Sequence, residues 1–245
     1  MARENPISIN VYKRHIRLYR YLNDTWIFTT LIRPMLDERV TKFENNTPKG
    51  KRYYTVPKER SHVLSRRTNQ DVAQIFRSQY QKGIFESNII SIISKIEAFI
   101  QDCMIITILN IPEKISIISE KGGIPFELFL KHDDKNDILR SYVTVLCSNL
   151  LFSKPNEYMD KFCKLLSISL DIDIINQYIE SKASRDIIIH NTGKINKLYI
   201  EKSGKYSRGE EGDELIIDLK YFKKTVILAK KLSGSIQAKV EAKYG

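Results

Sequence analysis

The stretch NIISIISKIEAFIQDCMIITIL, residues 88–109, lies in the most apolar part of the chain and decides its fold class. When successive residues are turned by about 100°, as on an α-helix, apolar side chains collect on one face. That face consists of Ile89, Ile93, Ile96, Ile100 and Cys103. The opposite face carries Ser91, Lys95 and Asp102. The spacing therefore predicts a long amphipathic helix with its apolar side against a core.

Glu97 is the exception within this stretch. It falls between Ile90 and Met104, at the edge of the apolar face. A carboxylate in that place needs a cation or a hydrogen-bond donor once the face is buried. We therefore expect a partner for Glu97 elsewhere in the chain.

The same helical spacing recurs along the rest of the sequence. It is found in residues 11–32, 136–152, 155–170 and 220–240, and Pro155 suits the first turn of its helix. DELIIDL, residues 213–219, predicts a short strand or an extended lead-in to the last helix. This pattern predicts an all-α fold, a helical bundle rather than a sheet architecture.

Positive charge is concentrated in the first third of the chain. The chain has 40 Lys and Arg against 29 Asp and Glu, and residues 1–80 hold 16 of the cations but only 7 of the acids. Such a block favours a polyanionic partner, first nucleic acid and second an anionic membrane, with an ordinary basic surface as the alternative. We divide the chain into a basic, largely helical N-terminal extension, residues 1–80, and a helical domain, residues 81–245.

A basic segment with aromatic residues, NNTPKGKRYYTVPKERSHVLSRR, spans residues 45–67. Pro48, Gly50 and Pro57 predict a long loop. Its cations and tyrosines suit phosphate contact and base stacking on single-stranded RNA or DNA. The candidate RNA-binding residues are Lys51, Arg52, Tyr53, Tyr54, Arg60, Arg66 and Arg67. An ordinary solvated basic loop is the alternative interpretation.

Several classes of site are disfavoured by the sequence. The cysteines, Cys103, Cys147 and Cys163, lie in apolar runs without a CxxC pair, as reduced buried thiols do. Glycine-rich phosphate loops and the GxSxG motif are absent, and the four histidines are scattered, so we predict no metal site and no cofactor. Residues 1–20 lack the apolar core of a secretory signal, and charged residues interrupt the apolar stretch 89–111. We therefore expect a soluble, cytoplasmic protein with no membrane association.

The stretch SRDIIIHNTG, residues 184–193, carries the chemistry that remains. On a helix, Asp186 and His190 are four residues apart and share a face, and Arg185 can reach the same place. An acid–base group, a carboxylate and a fixed cation are what a metal-independent ribonuclease needs. We expect the three isoleucines to anchor the helix inside the bundle, with the polar residues on its exposed rim. A structural histidine, or a buried strand in place of the helix, is the alternative on spacing alone.

The same stretch resembles the motif of the HEPN superfamily, an Arg followed by four to six residues and a His. Four residues separate Arg185 from His190, and Asp186 fills the polar position after the arginine. The continuation through Asn191 and Gly193 to the GD of residues 212–213 and a final helix looks closest to the RiboL-PSP-HEPN branch. An upstream helix with a Glu, here Glu97, also matches that branch. The resemblance covers the 81–245 domain, and residues 1–80 resemble no family that we can name.

This resemblance implies a HEPN-like helical bundle that cleaves RNA without a metal and leaves 2′,3′-cyclic phosphate ends. It implies Arg185, Asp186 and His190 as catalytic residues, with Glu97, Asn191 and Gly193 in support. It further implies a homodimer with a composite active site, and a toxin or anti-phage defence effector with an antitoxin or regulatory protein as a possible partner. Glu97 is the expected partner of Arg185 or of the motif helix.

Two other functions stay open from the sequence. HEPN domains include non-catalytic modules that bind nucleotides, RNA or proteins. The basic first 80 residues alone are also typical of a sequence-independent nucleic-acid binder.

Overall fold

The computed structural model describes residues 6–45, 52–119, 123–131 and 133–245, and within these ranges helices predominate. The predicted all-α fold is confirmed. The helices are α1 (Pro6–Asn45), α2 (Asn69–Arg77), α3 (Ile84–Asn110), α4 (Phe126–Lys131), α5 (Lys135–Leu151), α6 (Pro155–Leu166), α7 (Ile172–His190), α8 (Lys197–Ser203) and α9 (Leu219–Tyr244). A π-helical segment (Ser78–Gly83) joins α2 to α3, and short 3₁₀ turns cover Pro112–Ile117 and Gly204–Tyr206.

Helix α3 lies at the centre of the bundle and packs against α1, α5, α6, α7 and α9. Its predicted apolar face is confirmed, because Ile89, Ile93 and Ile100 are completely buried. The opposite face is not left to solvent, since α1 crosses it. Tyr21 and Ser91 share a hydrogen bond of 2.5 Å between their hydroxyls, and Arg14 Nε lies 3.1 Å from Asp102 Oδ2.

The basic N-terminal third shares the core of the bundle. Ile7, Val11, Leu18 and Leu22 of α1 belong to the same buried cluster as α3 and α9. A second, smaller cluster joins the C-terminal half of α1 to α2 and to the π-helical segment. It consists of Val40, Ala73 and Tyr80. The packing is therefore continuous across residue 80, the place where the charge composition changes.

The long loop predicted for residues 45–67 is wrong over its described part. Residues 52–67 form an antiparallel hairpin of β1 (Arg52–Lys58) and β2 (Ser61–Arg67), with Glu59 and Arg60 in the turn. The tyrosines, valines and threonine of this segment favour extended backbone. The prolines and the glycine of the sequence concealed that preference, and Pro57 lies inside β1. Each strand of a two-stranded sheet has one edge without a hydrogen-bonded neighbour. A proline costs little there, because its missing N–H would not be used.

The segment before α9 is an extended lead-in, the second of the two predicted alternatives. It pairs with the turn after α7 through a single bridge, Lys194 to Glu214. Leu215 N donates to Gly193 O at 2.7 Å, and Ile195 N donates to Asp213 O at 2.9 Å. These bonds fix the end of α7 against the lead-in.

Across the four described ranges, no helix is both long enough and apolar enough to cross a membrane.

A candidate active-site cleft at the end of helix α7

Helix α7 carries the predicted site on its last turns. Asp171 caps its N-terminus by accepting a hydrogen bond from Asp173 N at 2.8 Å. The chain then stays helical through His190, so the strand alternative is excluded. The side chains of the motif therefore have helical spacing, and those at 182, 185, 186 and 190 fall along one strip of the surface.

Glu97 and Arg185 meet across the interface of α3 and α7. Arg185 Nη2 donates to both carboxylate oxygens of Glu97, each at 3.0 Å. Lys182, one turn earlier on α7, donates to Glu97 Oε1 as well. Glu97 thus has the cationic partner that its sequence position demanded, and it binds two cations rather than one.

Asp186 lies between Arg185 and a third cation, Lys202. Its Oδ1 is 3.2 Å from Arg185 Nε, and its Oδ2 is 3.5 Å from Lys202 Nζ on α8. Among the described residues, His190 makes no hydrogen bond to Asp186. The Asp186 carboxylate is instead turned to the cations.

The Nε donor of Arg185 lies on the Asp186 side of the guanidinium group. Its Nε group is buried and, within the described part of the chain, lacks an aligned hydrogen-bond acceptor despite the nearby Asp186. A buried N–H without a partner costs free energy. The ion pair with Asp186 Oδ1, 3.2 Å away, offsets part of that cost.

These side chains line a cleft of about 500 Å³ that we call the catalytic cleft. Polar groups make up one wall, and Leu151, Phe152 and Pro155 make up the other. The complete lining is Ser94, Glu97, Ala98, Gln101, Ser148, Leu151, Phe152, Ser153, Pro155, Lys182, Arg185, Asp186, His190 and Lys202. Three cations face two carboxylates, so the cleft retains a positive charge that suits a phosphate.

The three isoleucines of the motif do not share one environment. Ile187 is buried at 3% exposure, Ile188 is half-buried, and Ile189 is 45% exposed. The prediction that all three anchor the helix is wrong, because consecutive residues on a helix point about 100° apart. Ile187 belongs to the core and Ile188 packs against it, whereas Ile189 lies on the surface.

Asn191 and Gly193 build the turn that ends α7. Gly193 has φ of +80° and Thr192 has φ of +51°, the left-handed region that favours glycine. Gly193 N donates to Ile187 O at 3.1 Å, and Asn191 Nδ2 donates to Lys194 O. A Cβ added at Gly193 would first meet Lys82 Nζ at 3.7 Å. The positive φ therefore explains the glycine, since no neighbouring atom comes close enough to exclude a side chain.

Two buried tyrosines and a buried cysteine near the cleft are held in their neutral form. Burial raises the pKa of Tyr158 well above its ordinary value, and neighbouring Tyr178, whose pKa is also raised by burial, adds to the effect. Burial likewise raises the pKa of Cys147 to about 12. Histidine is the residue type that exchanges protons near neutral pH. His190, exposed at the cleft, is therefore the best candidate for proton transfer.

A closed polar cluster lies next to the cleft on α7, and sequence analysis did not predict it. Glu180 is 1% exposed, and its Oε1 accepts from Arg208 Nε at 2.9 Å and from Ser184 Oγ at 2.7 Å. Tyr199 and Tyr221 donate to the same carboxylate at 3.0 and 3.1 Å. We call these five residues the Glu180 cluster. It ties α7 to α8 and α9 and so fixes the helix that carries Lys202.

Lys182 and Lys202 are the two cleft cations that sequence analysis missed. Lys182 stands three residues before Arg185, and the helical spacing used for Asp186 and His190 also places it on the same strip. Lys202 lies on α8, a different helix from the one that carries the motif. Only the tertiary fold brings it to Asp186.

The candidate RNA-binding residues lie apart from the cleft. Arg52, Tyr53, Tyr54, Arg66 and Arg67 are on the hairpin strands and exposed, and Arg60 is in the turn. Lys51 lies outside the described residues. Of those that are described, none lines the catalytic cleft. Tyr53 is directly opposite Arg66, and Arg52 is directly opposite Arg67, so the hairpin pairs a ring with a cation on one face.

No group of three or more His, Cys, Asp or Glu side chains in the described ranges is arranged to hold a metal ion. A scan against protein-family models found no match, and searches of curated proteins and of solved structures found no significant match.

Proposed function

We propose that this protein is a metal-independent endoribonuclease of the HEPN type, acting through the catalytic cleft. Arg185, Asp186 and His190 line one cleft with two further lysines, and this grouping supports the proposal most strongly.

The chemistry follows from the roles of the side chains. His190 takes the proton of a ribose 2′-OH while the 2′-oxygen attacks the adjacent phosphorus. Arg185 and Lys202 stabilise the negative charge that grows on the phosphoryl oxygens. The bond from phosphorus to the 5′-oxygen breaks, and a protonated group returns a proton to that oxygen. The products are a 2′,3′-cyclic phosphate and a 5′-hydroxyl, and DNA is spared because it lacks the 2′-OH.

We further propose that a second copy of the chain supplies the returning proton. Phe152, a cleft residue, is 89% exposed, and Ile189, which precedes His190 on α7, is 45% exposed. Large apolar side chains at the rim of a polar cleft are typical of a protein interface. A homodimer across this rim would bring the His190 of both protomers into one composite site.

RNA cleavage by a His190→Ala variant tests the proposed function. We expect the variant to lose at least about 100-fold in cleavage rate, as is usual when a general acid–base group is removed. Its stability should change by less than about 0.5 kcal/mol, because His190 is an exposed last-turn residue. The measurement is the appearance of 2′,3′-cyclic phosphate ends on a labelled RNA.

Lys243→Ala, at an exposed last-turn cation of α9, is the matched control and should cleave as the parent does. EDTA should leave the parent activity unchanged. Loss of cleavage in EDTA, or full activity of His190→Ala, would contradict the proposal.

A non-catalytic module that binds nucleotides, RNA or a protein is the alternative function. One observation favours it: Lys182 and Arg185 are already held by Glu97, which lowers their availability to a phosphate. In that case His190→Ala binds RNA as the parent does, and cyclic phosphate ends never appear. An RNA-cleaving toxin or defence effector, by contrast, would need a neutralising antitoxin or regulator.

We also propose that the hairpin binds the RNA that the cleft cleaves. Replacing Arg52, Arg60, Arg66 and Arg67 by Gln should weaken binding of a non-cleavable 2′-O-methyl RNA. The slope of log Kd against log salt concentration should fall by about 3, from about 0.7 for each lost phosphate contact. The matched control replaces four exposed α9 lysines by Gln and so changes the net charge by the same amount. These lysines are Lys220, Lys223, Lys224 and Lys231. Equal losses in both variants would show that only net charge matters.

A further inference from the structure

A second cleft of about 330 Å³ lies on the other side of His190. It shares three lining residues with the catalytic cleft: Asp186, His190 and Lys202. These side chains form a ridge with one cleft on each side. A ligand that reaches His190 can therefore extend into both.

The remaining walls of the two clefts differ in chemistry. The catalytic cleft adds Lys182, Arg185 and several hydroxyls, which suit phosphate and ribose. The second cleft adds an apolar wall and two side-chain amides. Its further lining residues are Ala183, Ile187, Asn191, Asn196, Leu198 and Tyr199. Its volume lies within the range of about 300–1,000 Å³ that is usual for small-ligand sites.

Each amide is fixed by one backbone hydrogen bond and retains one unused group. Asn196 Oδ1 accepts from Tyr199 N at 2.9 Å, so its Nδ2 is the free end. Asn191 Nδ2 donates to Lys194 O, so its Oδ1 is the free end. A backbone N–H can only donate and a carbonyl can only accept, which assigns both amides. Neither free end has a partner within the described ranges.

We propose that the second cleft binds a nucleobase of the RNA, next to the scissile phosphate. The proposal rests on the proposed ribonuclease function and names the part of the substrate that this subsite takes. A base is a flat apolar body whose edge carries donors and acceptors, and single-stranded RNA offers that edge unpaired. Leu198, which is 54% exposed, provides apolar contact, while Asn196 Nδ2 donates to the edge and Asn191 Oδ1 accepts from it.

The position of the ridge explains why a base fits better than another apolar ligand. Base and phosphate of one nucleotide are joined through the ribose, and both must contact the enzyme when His190 reaches the 2′-OH. The two clefts meet at His190 and offer a cationic site on one side and an apolar, amide-bearing site on the other. Asn196 and Asn191 then act as specificity-determining residues.

Asn196→Ser tests this assignment without disturbing the helix. Serine is a good N-cap, so the bond to Tyr199 N is kept, while the Nδ2 donor is replaced by a hydroxyl that is one bond shorter and does not reach the base. RNA of random sequence is cleaved by the full-length protein, and the ends are sequenced. We expect the ratio of rates between the favoured and disfavoured base at one position beside the cut to fall about tenfold, the size of one hydrogen bond. Asn156→Ser, on the exposed surface of α6, is the control and should keep the parent preference.

A second measurement does not depend on cleavage. A 2′-O-methyl RNA that contains 4-thiouracil is cross-linked to the parent protein and to Leu198→Trp, which fills the cleft at a half-exposed position. We expect the parent to cross-link within residues 191–199 and Leu198→Trp to lose at least about three quarters of that product by steric exclusion.

The outcomes separate the two proposals. Cleavage with an unchanged base preference and no cross-link within residues 191–199 overturns the base pocket and leaves the ribonuclease standing. A cross-link there without any cleavage supports the base pocket and overturns the ribonuclease. Absence of both overturns both.

Discussion

Two carboxylates on the inner helices, Glu180 and Glu97, solve the same physical problem in opposite ways. Glu180 is enclosed, and Arg208, Ser184 and two tyrosines saturate its oxygens. Glu97 lies in the wall of an open cleft and holds Lys182 and Arg185, whose remaining donor has no aligned acceptor. Both satisfy the rule that a buried charge needs partners.

The difference between the two sites separates structure from function. In the Glu180 cluster the hydrogen-bonding capacity is used up inside the protein, and Arg208 also lies 3.4 Å above the Tyr221 ring. Nothing is left for a ligand. In the catalytic cleft, the cations and His190 line a cavity. We therefore expect changes at the Glu180 cluster to act on stability and changes at Glu97 to act on turnover.

Arg208→Leu should produce the largest effect of all. It leaves a carboxylate buried without its cation, and breaking a buried pair costs about 3–5 kcal/mol. We expect the free energy of unfolding to fall by that amount in urea denaturation followed by far-UV circular dichroism. Cleavage per folded molecule should stay close to that of the parent.

Two controls sharpen this result. Arg140→Leu removes an exposed arginine from α5 and should change stability by less than about 0.5 kcal/mol. Adding Glu180→Gln to Arg208→Leu removes the stranded charge and should restore part of the loss. If the double variant is less stable than Arg208→Leu alone, the pair is not coupled in this way.

Glu97→Gln should act on catalysis more than on folding. The amide keeps the size of the side chain but no longer anchors Arg185, so we expect kcat to fall about tenfold at a temperature where the variant is folded. KM should also fall, because the cleft loses a negative charge that competes for the phosphate-binding cations. A purely structural role would not lower both constants together.

The control for Glu97→Gln is Glu157→Gln, an exposed acid on α6 that should leave both constants unchanged. A Glu97→Gln variant with parental stability, kcat and KM would show that Glu97 has no part in positioning Arg185.

The sequence was sufficient where one helix determines the answer. The periodicity of residues 88–109 predicted the buried face of α3, and the odd position of Glu97 predicted a partner, either a cation or a hydrogen-bond donor. The structure brings Arg185 to it, although the functional role of that contact stays a prediction. Helical spacing alone also related Asp186 to His190 along α7.

The sequence was insufficient where distant segments meet. Arg208 and Lys202 come from a segment rich in Gly, Ser and Lys, and no local pattern shows that they reach Glu180 and Asp186. The hairpin was missed for another reason. Its strands are mostly exposed on both faces, so the alternation of apolar and polar residues that marks a half-buried strand is weak.

Tyr221→Phe gives the smallest effect and isolates one bond of the closed cluster. The Phe ring retains the stacking of Arg208, so the variant removes only the hydroxyl that Glu180 Oε2 accepts from. Because Arg208, Ser184 and Tyr199 still hold Oε1, we expect a loss of about 1–2 kcal/mol in the free energy of unfolding. Tyr12→Phe, at an exposed ring of α1, should change it by less than about 0.5 kcal/mol. A loss as large as that of Arg208→Leu would mean that the cluster fails as a unit when any one bond is removed.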